Sequence, residues 1–179
     1  MIKKIYSNKW LTISKDKGYY FYDENYDQVV IIPIIDKNNL VMVNQFRKPL
    51  KKYCLEFPAG GINKNESPSK AAIRELYEET GIKVKNVQKI FKQTKLSINP
   101  QRSKAYPHVF MTKIDNKYIE VLKKYSKKKF SKEIESVNIV KIRDFFKLVK
   151  RGNIVSSYMI AIFYMYLLKE KLISLKKIK

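Results

Sequence analysis

The stretch from Ser67 to Gly81 constrains the fold more than any other, because both ends of a helix and both of its faces are written into it. Ser67 can cap the exposed amides, and Pro68 fits the first turn, where no backbone donor is needed. Gly81 can take the left-handed backbone that satisfies the last carbonyls, so the pattern predicts a helix from Pro68 to Thr80. At about 100° per residue, Glu75, Glu78 and Glu79 fall within one wedge of its surface, and Ala72, Ile73, Leu76 and Thr80 fill the opposite side. A chain that folds around this segment has to bury one face and leave the other acidic.

Glu75 and Glu79 stand one turn apart, and like charges so placed cost roughly 0.3 kcal/mol. Arg74 can pair with Glu78, but one arginine does not neutralise three carboxylates. No lysine lies between Ala71 and Thr80 in a chain otherwise rich in lysine. Clustered carboxylate oxygens without His or Cys suit a hard divalent ion, Mg2+ first and Mn2+ as its substitute. Just upstream, Glu56-Phe57-Pro58-Ala59-Gly60-Gly61 reads as a turn where glycine allows close backbone approach, and the Ala59 carbonyl can complete such a site. Composition by itself allows a plainer reading, a solvated acidic face.

Around this helix the chain is mixed α/β. Strands are predicted over Trp10 to Ser14, Gly18 to Tyr22, Gln28 to Ile35 and Leu40 to Phe46. The polar turn Asp36-Lys37-Asn38-Asn39 pairs the last two antiparallel. Further strands are predicted at Val84 to Leu96, Tyr106 to Lys113 and Ser136 to Ile142, and helices at Arg143 to Lys150 and Val155 to Leu172. The lysine run from Lys123 to Lys132 reads as a solvated loop or short helix. No repeat or flexible linker divides the 179 residues, so one domain over residues 1–179 is expected, with residues 1–25 as an N-terminal β arm.

The lone Cys54 cannot form an internal disulfide, and no apolar run follows Met1 to Lys4, which points to a reducing, cytoplasmic setting. Val155 to Leu168 is broken by Ser156 and Ser157 and is shorter than the roughly 20 residues of a membrane span, so no membrane partner is expected. The net charge of +22 favours polyanions. Only five of the 38 basic residues are arginine, at 47, 74, 102, 143 and 151. Scattered lysines mostly solvate a surface, so nucleic acid is a possible partner but a small ligand is preferred.

Gly60, five residues, Glu66, seven residues, then Arg74-Glu75-Leu76-Tyr77-Glu78-Glu79-Thr80-Gly81-Ile82 resembles the Nudix box at every constrained position. Gln45-Phe46-Arg47 and Leu55-Glu56-Phe57-Pro58-Ala59-Gly60 resemble the approach to that box in the ADP-ribose and nucleoside-diphosphate-sugar branch of Nudix hydrolases. The likeness runs over about residues 28–172. It implies an α/β/α sandwich around a mixed sheet, a homodimer, and Mg2+-dependent hydrolysis of the pyrophosphate bond of ADP-ribose or a related nucleoside diphosphate sugar. The products would be a nucleoside monophosphate and a sugar phosphate. By the same resemblance Glu75, Glu79 and the Ala59 carbonyl take metal-ligand positions, with Glu78 as a further ligand or water contact. Gly60, Glu66, Arg74 and Gly81 shape the box. Asn99-Pro100 and His108-Val109-Phe110 are similar to the substrate loop and strand of that branch, with Gln101 and Ala105 where many relatives carry glycine and glutamate. Two alternatives are hydrolysis at RNA 5′ ends, which the positive charge would assist, and a nucleotide-binding regulator without catalysis.

A general base on a loop after the later strands, as the resemblance implies, points to Glu135 and then Glu133, with Glu78 as the other candidate. Arg47 can hold a phosphate bidentately or pair with Glu56, and with Pro100 these are the substrate-site candidates. His108, the single histidine, has no Ser or Cys partner at triad spacing and is expected to be structural. Tyr19, Tyr20 and Tyr22 could stack a base, although packing within a hairpin is the simpler expectation. Tyr158, Phe163 and Tyr166 are expected in a helix core.

Overall fold

The computed structural model describes residues 1–90, 96–125 and 134–173. Strands β1 (Lys3–Ser7), β2 (Leu11–Asp16) and β3 (Tyr19–Glu24) form a small antiparallel sheet of their own, at the place of the expected arm. The main sheet contains β4 (Gln28–Ile35), β5 (Asn39–Arg47), β6 (Lys52–Glu56), β7 (Ala59–Gly61), β8 (Gln88–Lys89), β9 (His108–Ile114) and β10 (Ile134–Lys141). Its order is β10-β5-β4-β9-β8, with β6 on β5 and β7 on β4. β4 and β9 run parallel and the other pairs antiparallel, so the sheet is mixed.

Residues Val29 to Ile35 of β4 are all buried, as a central strand covered on both faces requires. Val29, Ile31, Ile35, Val41 and Val43 point to the side of α1 (Pro68–Thr80) and α2 (Tyr118–Tyr125). Val30, Ile32, Ile34, Leu40 and Met42 point to α3 (Phe145–Lys150) and α4 (Ser157–Lys169). The two-residue period thus builds the expected α/β/α sandwich. Phe145 and Phe163 stack at 3.8 Å between ring centroids, and Phe57 joins them at 6.0 and 6.3 Å. This anchors the corner between β6 and β7 to the α3–α4 layer. Tyr158, Phe163 and Tyr166 are in that core.

α1 has the predicted bounds: Ser67 Oγ accepts from the Lys70 N–H at 3.4 Å, and Gly81 has φ 73°. Its buried residues are Ala71, Ala72, Leu76 and Thr80, whereas Ile73 is only partly covered. The acidic and apolar faces adjoin rather than oppose each other. Glu79, seven residues from Ala72, lies only about 20° from it on the wheel. That is why this carboxylate is drawn under the helix.

Elsewhere the predicted elements shift. β6 and β7 replace a plain turn, and the strand predicted over Val84 to Leu96 is reduced to Gln88–Lys89, with residues 91–95 outside the described residues. The lysine run begins as the end of α2, and its residues 126–132 lie outside the described set. Ile142–Asp144 forms a 3-10 turn before α3. α4 starts at Ser157 because Ser156 Oγ accepts from the Met159 N–H at 3.3 Å. Among the described residues, no helix is long and apolar enough to cross a membrane.

Candidate active site

β7 pairs with the start of β4 through Gln28↔Gly61, Val29↔Gly60 and Val30↔Ala59, which sets its backbone directly against α1. A Cβ on Gly60 would lie 2.1 Å from Glu75 Cδ and 2.2 and 2.3 Å from its two oxygens. The Glu75 carboxylate therefore occupies the space that any other residue at 60 would fill. One turn further on, the Ala59 N–H donates to Glu79 Oε2 at 3.1 Å. Two carboxylates of the helix thus rest on the backbone of a three-residue strand.

Arg74 holds the rest of the box together. Its Nε and Nη2 donate to the two Glu66 oxygens at 3.0 and 2.9 Å, its Nη2 also to the Gly61 carbonyl at 2.8 Å. Nη1 donates to Glu75 at 2.7 Å and to Glu78 at 3.1 Å. Arg74 so pairs with three carboxylates, with Glu66 and Glu78 as expected and with Glu75 as well. Its hydrogen bonds hold the Glu66 carboxyl below the usual range. Burial raises Glu75, opposed by Arg74, and pushes Glu79 up to about 8, with the Ala59 N–H opposing and the Glu75 charge adding to the rise. Across the floor of the site Arg47 Nε donates to Glu56 Oε1 at 2.8 Å and Nη2 to Oε2. Glu56 is 6% exposed, so this fork closes over a carboxylate that burial would otherwise penalise.

Among the described residues, no group of three His, Cys, Asp or Glu side chains stands ready to hold a metal. Arg74 draws Glu75 and Glu78 toward itself, while Glu79 turns to Ala59. The residues nevertheless fit a hard divalent cation. The side-chain donors are all carboxylate oxygens, and among the described residues the ion pairs of the five carboxylates Glu56, Glu66, Glu75, Glu78 and Glu79 are made with Arg47 and Arg74.

Other predicted site residues fall elsewhere. Glu135 belongs to β10 and not to a preceding loop; it sits at a register shift between Ile134 and Ser136 and accepts from Asn44 Nδ2 at 3.0 Å. Asn44 follows Leu40 and Met42 on the face turned to α4, the opposite face from Val43 and Glu56. Glu133 lies outside the described residues. Pro100 is in a turn that packs on β3. Tyr19, Tyr20 and Tyr22 do more than pack within their hairpin: the Tyr19 hydroxyl donates to the Gln101 carbonyl, the Tyr20 carbonyl accepts from Arg102 Nη1 at 2.6 Å, and the Tyr22 N–H donates to the Arg102 carbonyl at 2.7 Å. His108, at the start of β9, shares with Tyr26 and Tyr106 the lining of a cleft of about 440 Å³. Tyr26 and Arg102 went unmarked in the sequence. The rarity of arginine in a lysine-rich chain was the signal available for the second.

Residues 25–161 match the NUDIX domain, a match that starts just after β3. The chain is 35% identical over 124 residues to an ADP-ribose pyrophosphatase of Bacillus subtilis, covering 68% of this chain and 62% of that protein. It is 51% identical over 61 residues to an ADP-sugar pyrophosphatase of Mus musculus, covering 32% of this chain and 28% of the relative. The aligned region therefore spans less than two thirds of either relative. A solved structure of an ADP compounds hydrolase superposes with a TM-score of 0.68 at 18% identity, covering 96% of this chain and 91% of that one, which is a likeness of fold.

Proposed function

The chain belongs to the NUDIX family, and on that premise we propose that it hydrolyses the pyrophosphate bond of ADP-ribose or a related nucleoside diphosphate sugar with the help of Mg2+. The observation that carries the reading is the seating of the Glu75 and Glu79 carboxylates on the backbone of Ala59 and Gly60. The names of the Bacillus and mouse relatives supply the substrate class.

Glu75, Glu79 and the Ala59 carbonyl would hold the ion, with Glu78 as a further ligand or water contact, and Mn2+ suits the same oxygen donors. When bound, the ion neutralises the diphosphate and makes a water acidic enough to attack phosphorus. Arg74 keeps Glu75 and Glu78 beside Glu66, so that they would have only to turn from its guanidinium toward an incoming ion. Arg47 and Glu56 form a paired floor at the end of β5 and β6, where the exposed part of the guanidinium can meet a phosphate oxygen. Proton acceptance from the water falls to Glu78, held beside Glu75 by Arg74, rather than to Glu135, whose partner Asn44 is on the opposite face of the sheet from Glu56. The sugar-nucleotide body would reach the cleft lined by Tyr26, Tyr106 and His108, beside the seam between β3 and the loop that carries Pro100.

The test is mass spectrometry of products from a panel offered with Mg2+: ADP-ribose, other nucleoside diphosphate sugars, nucleoside triphosphates, dinucleoside polyphosphates and capped RNA. A nucleoside monophosphate with a sugar phosphate is the expected pair. Pyrophosphate released from a triphosphate or from RNA, with sugar nucleotides untouched, would refute the reading. Binding of ADP-ribose without any product would turn it into that of a regulator.

A homodimer is part of the same proposal. Ile2, Ile5, Tyr6 and Trp10 of the arm are about half exposed or more, an apolar surface that a free three-stranded sheet holds poorly in water. Sedimentation at micromolar concentration should give twice the mass of the chain, and a fully active monomer would remove the dimer.

A further inference from the structure

Asn99 closes a turn by accepting from the Arg102 N–H at 3.0 Å and the Ser103 N–H at 2.8 Å, so Pro100 sits in a compact loop. One strand of the arm clasps that loop. The Tyr22 N–H donates to the Arg102 carbonyl at 2.7 Å, and Tyr22 forms a parallel bridge with Ser103. Arg102 Nη1 donates to the Tyr20 carbonyl at 2.6 Å while the guanidinium carbon lies 4.5 Å from the centre of the Tyr19 ring. The Tyr19 hydroxyl donates to the Gln101 carbonyl, and Lys104 pairs with Asp23 at 3.3 Å. A single arginine thus meets β3 in three ways, by its backbone, by an N–H and by its flat face. Lysine has no planar group that could stack and donate at once.

Both sides of this seam lead to the active site. Beyond β3, the Tyr26 ring comes within 3.0 Å of where a Gly61 Cβ would stand, and the Asp27 carbonyl accepts from the Ile62 N–H at 2.8 Å. Beyond the Pro100 loop, Tyr106 leads into His108 of β9. Between them opens the cleft of about 440 Å³, with Asp23, Glu24 and Tyr26 on one wall and Lys104, Tyr106 and His108 on the other.

We infer that Arg102 is a positioning residue: it fastens the Pro100 loop to β3 and so fixes the width of the cleft that receives the sugar nucleotide. The inference rests on the substrate reading given above, and its test keeps the two apart. Wild-type protein is first assayed on the panel, which decides the substrate reading alone. Arg102→Ala, Arg102→Lys and Tyr19→Phe are then compared with it on the best nucleoside diphosphate sugar. Arg102→Ala should raise KM by about tenfold and leave kcat within about twofold, the signature of lost uniform binding. Arg102→Lys should recover little of this, and Tyr19→Phe should show a smaller rise in KM. In hydrogen exchange the Tyr22 amide of Arg102→Ala should exchange faster than in wild type, while amides in the middle of α1 keep their protection. Unchanged KM, or a fall in kcat at constant KM, would overturn the role in the cleft. Unchanged exchange at Tyr22 would overturn the fastening, and this arm reads out even if no sugar nucleotide is cleaved.

Discussion

Replacing Glu79 by glutamine is expected to lower kcat about 10²- to 10³-fold and leave the fold intact. The side chain accepts from the Ala59 N–H at 3.1 Å, a bond that the glutamine oxygen can also accept. What is lost is the charge. Without a metal ion that charge destabilises the folded protein, because burial pushes the carboxyl from near 4.5 up to about 8. A carboxyl whose folded value lies above its unfolded one weakens the fold as pH rises from about 4.5 through about 8, and the full penalty applies above that window. Metal-free Glu79→Gln should therefore melt no lower than wild type at pH 9, with the two converging near pH 4. Added Mg2+ should stabilise wild type more than the variant, since only wild type offers the full ligand charge. Near-normal turnover by Glu79→Gln at saturating Mg2+ would remove Glu79 from the metal site.

The second large effect is expected from the smallest of changes, Gly60→Ala. Its methyl group would fall 2.1 Å from Glu75 Cδ, so the carboxylate has to swing away. The obstructing atoms are the end of a flexible side chain, and Gly60 is not among the residues of positive φ, so the backbone accepts alanine and stability should change little. A catalytic group misplaced by about 1 Å can cost about 10²-fold, and kcat should fall by about that factor. Melting temperature and kcat measured side by side check this. A variant with wild-type kcat would show that Glu75 is not where the chemistry needs it.

The helix and its acidic face were legible because every decisive residue is local. Ser67, Pro68 and Gly81 mark the ends, and the carboxylates sit within one turn of each other. β4 was legible for a related reason, an unbroken apolar run closed by a polar turn. β7 was not, because Ala59-Gly60-Gly61 has no side-chain pattern; it becomes a strand only by pairing with β4 about 30 residues away. Glu79 was read as standing opposite the core, and the wheel places it at the border, where burial alters its acidity. The clasp between β3 and the Pro100 loop joins residues about 80 positions apart, beyond any periodicity. Arginine offered a hint that lysine could not. Arg47, Arg74 and Arg102 each use a planar group, toward Glu56, toward Glu66 and across Tyr19. In a chain with so much lysine, the positions that keep arginine are informative about geometry as well as charge.

The pairing of β4 has one more consequence. Val29 is flanked by Gly60 of β7 on one edge and by His108 of β9 on the other. Adjacent strands lie about 4.8 Å apart, so the floor of the carboxylate cradle and the rim of the cleft stand about 10 Å from each other, measured across two rows of backbone hydrogen bonds. The sheet is in this sense a gauge. Exchanging side chains can alter the grip at either end, but the interval is held by main-chain atoms and changes only when a strand is inserted or withdrawn. On the proposed reading, substrates would be sorted first by how far their diphosphate stands from the group that the cleft receives, and only then by what that group is.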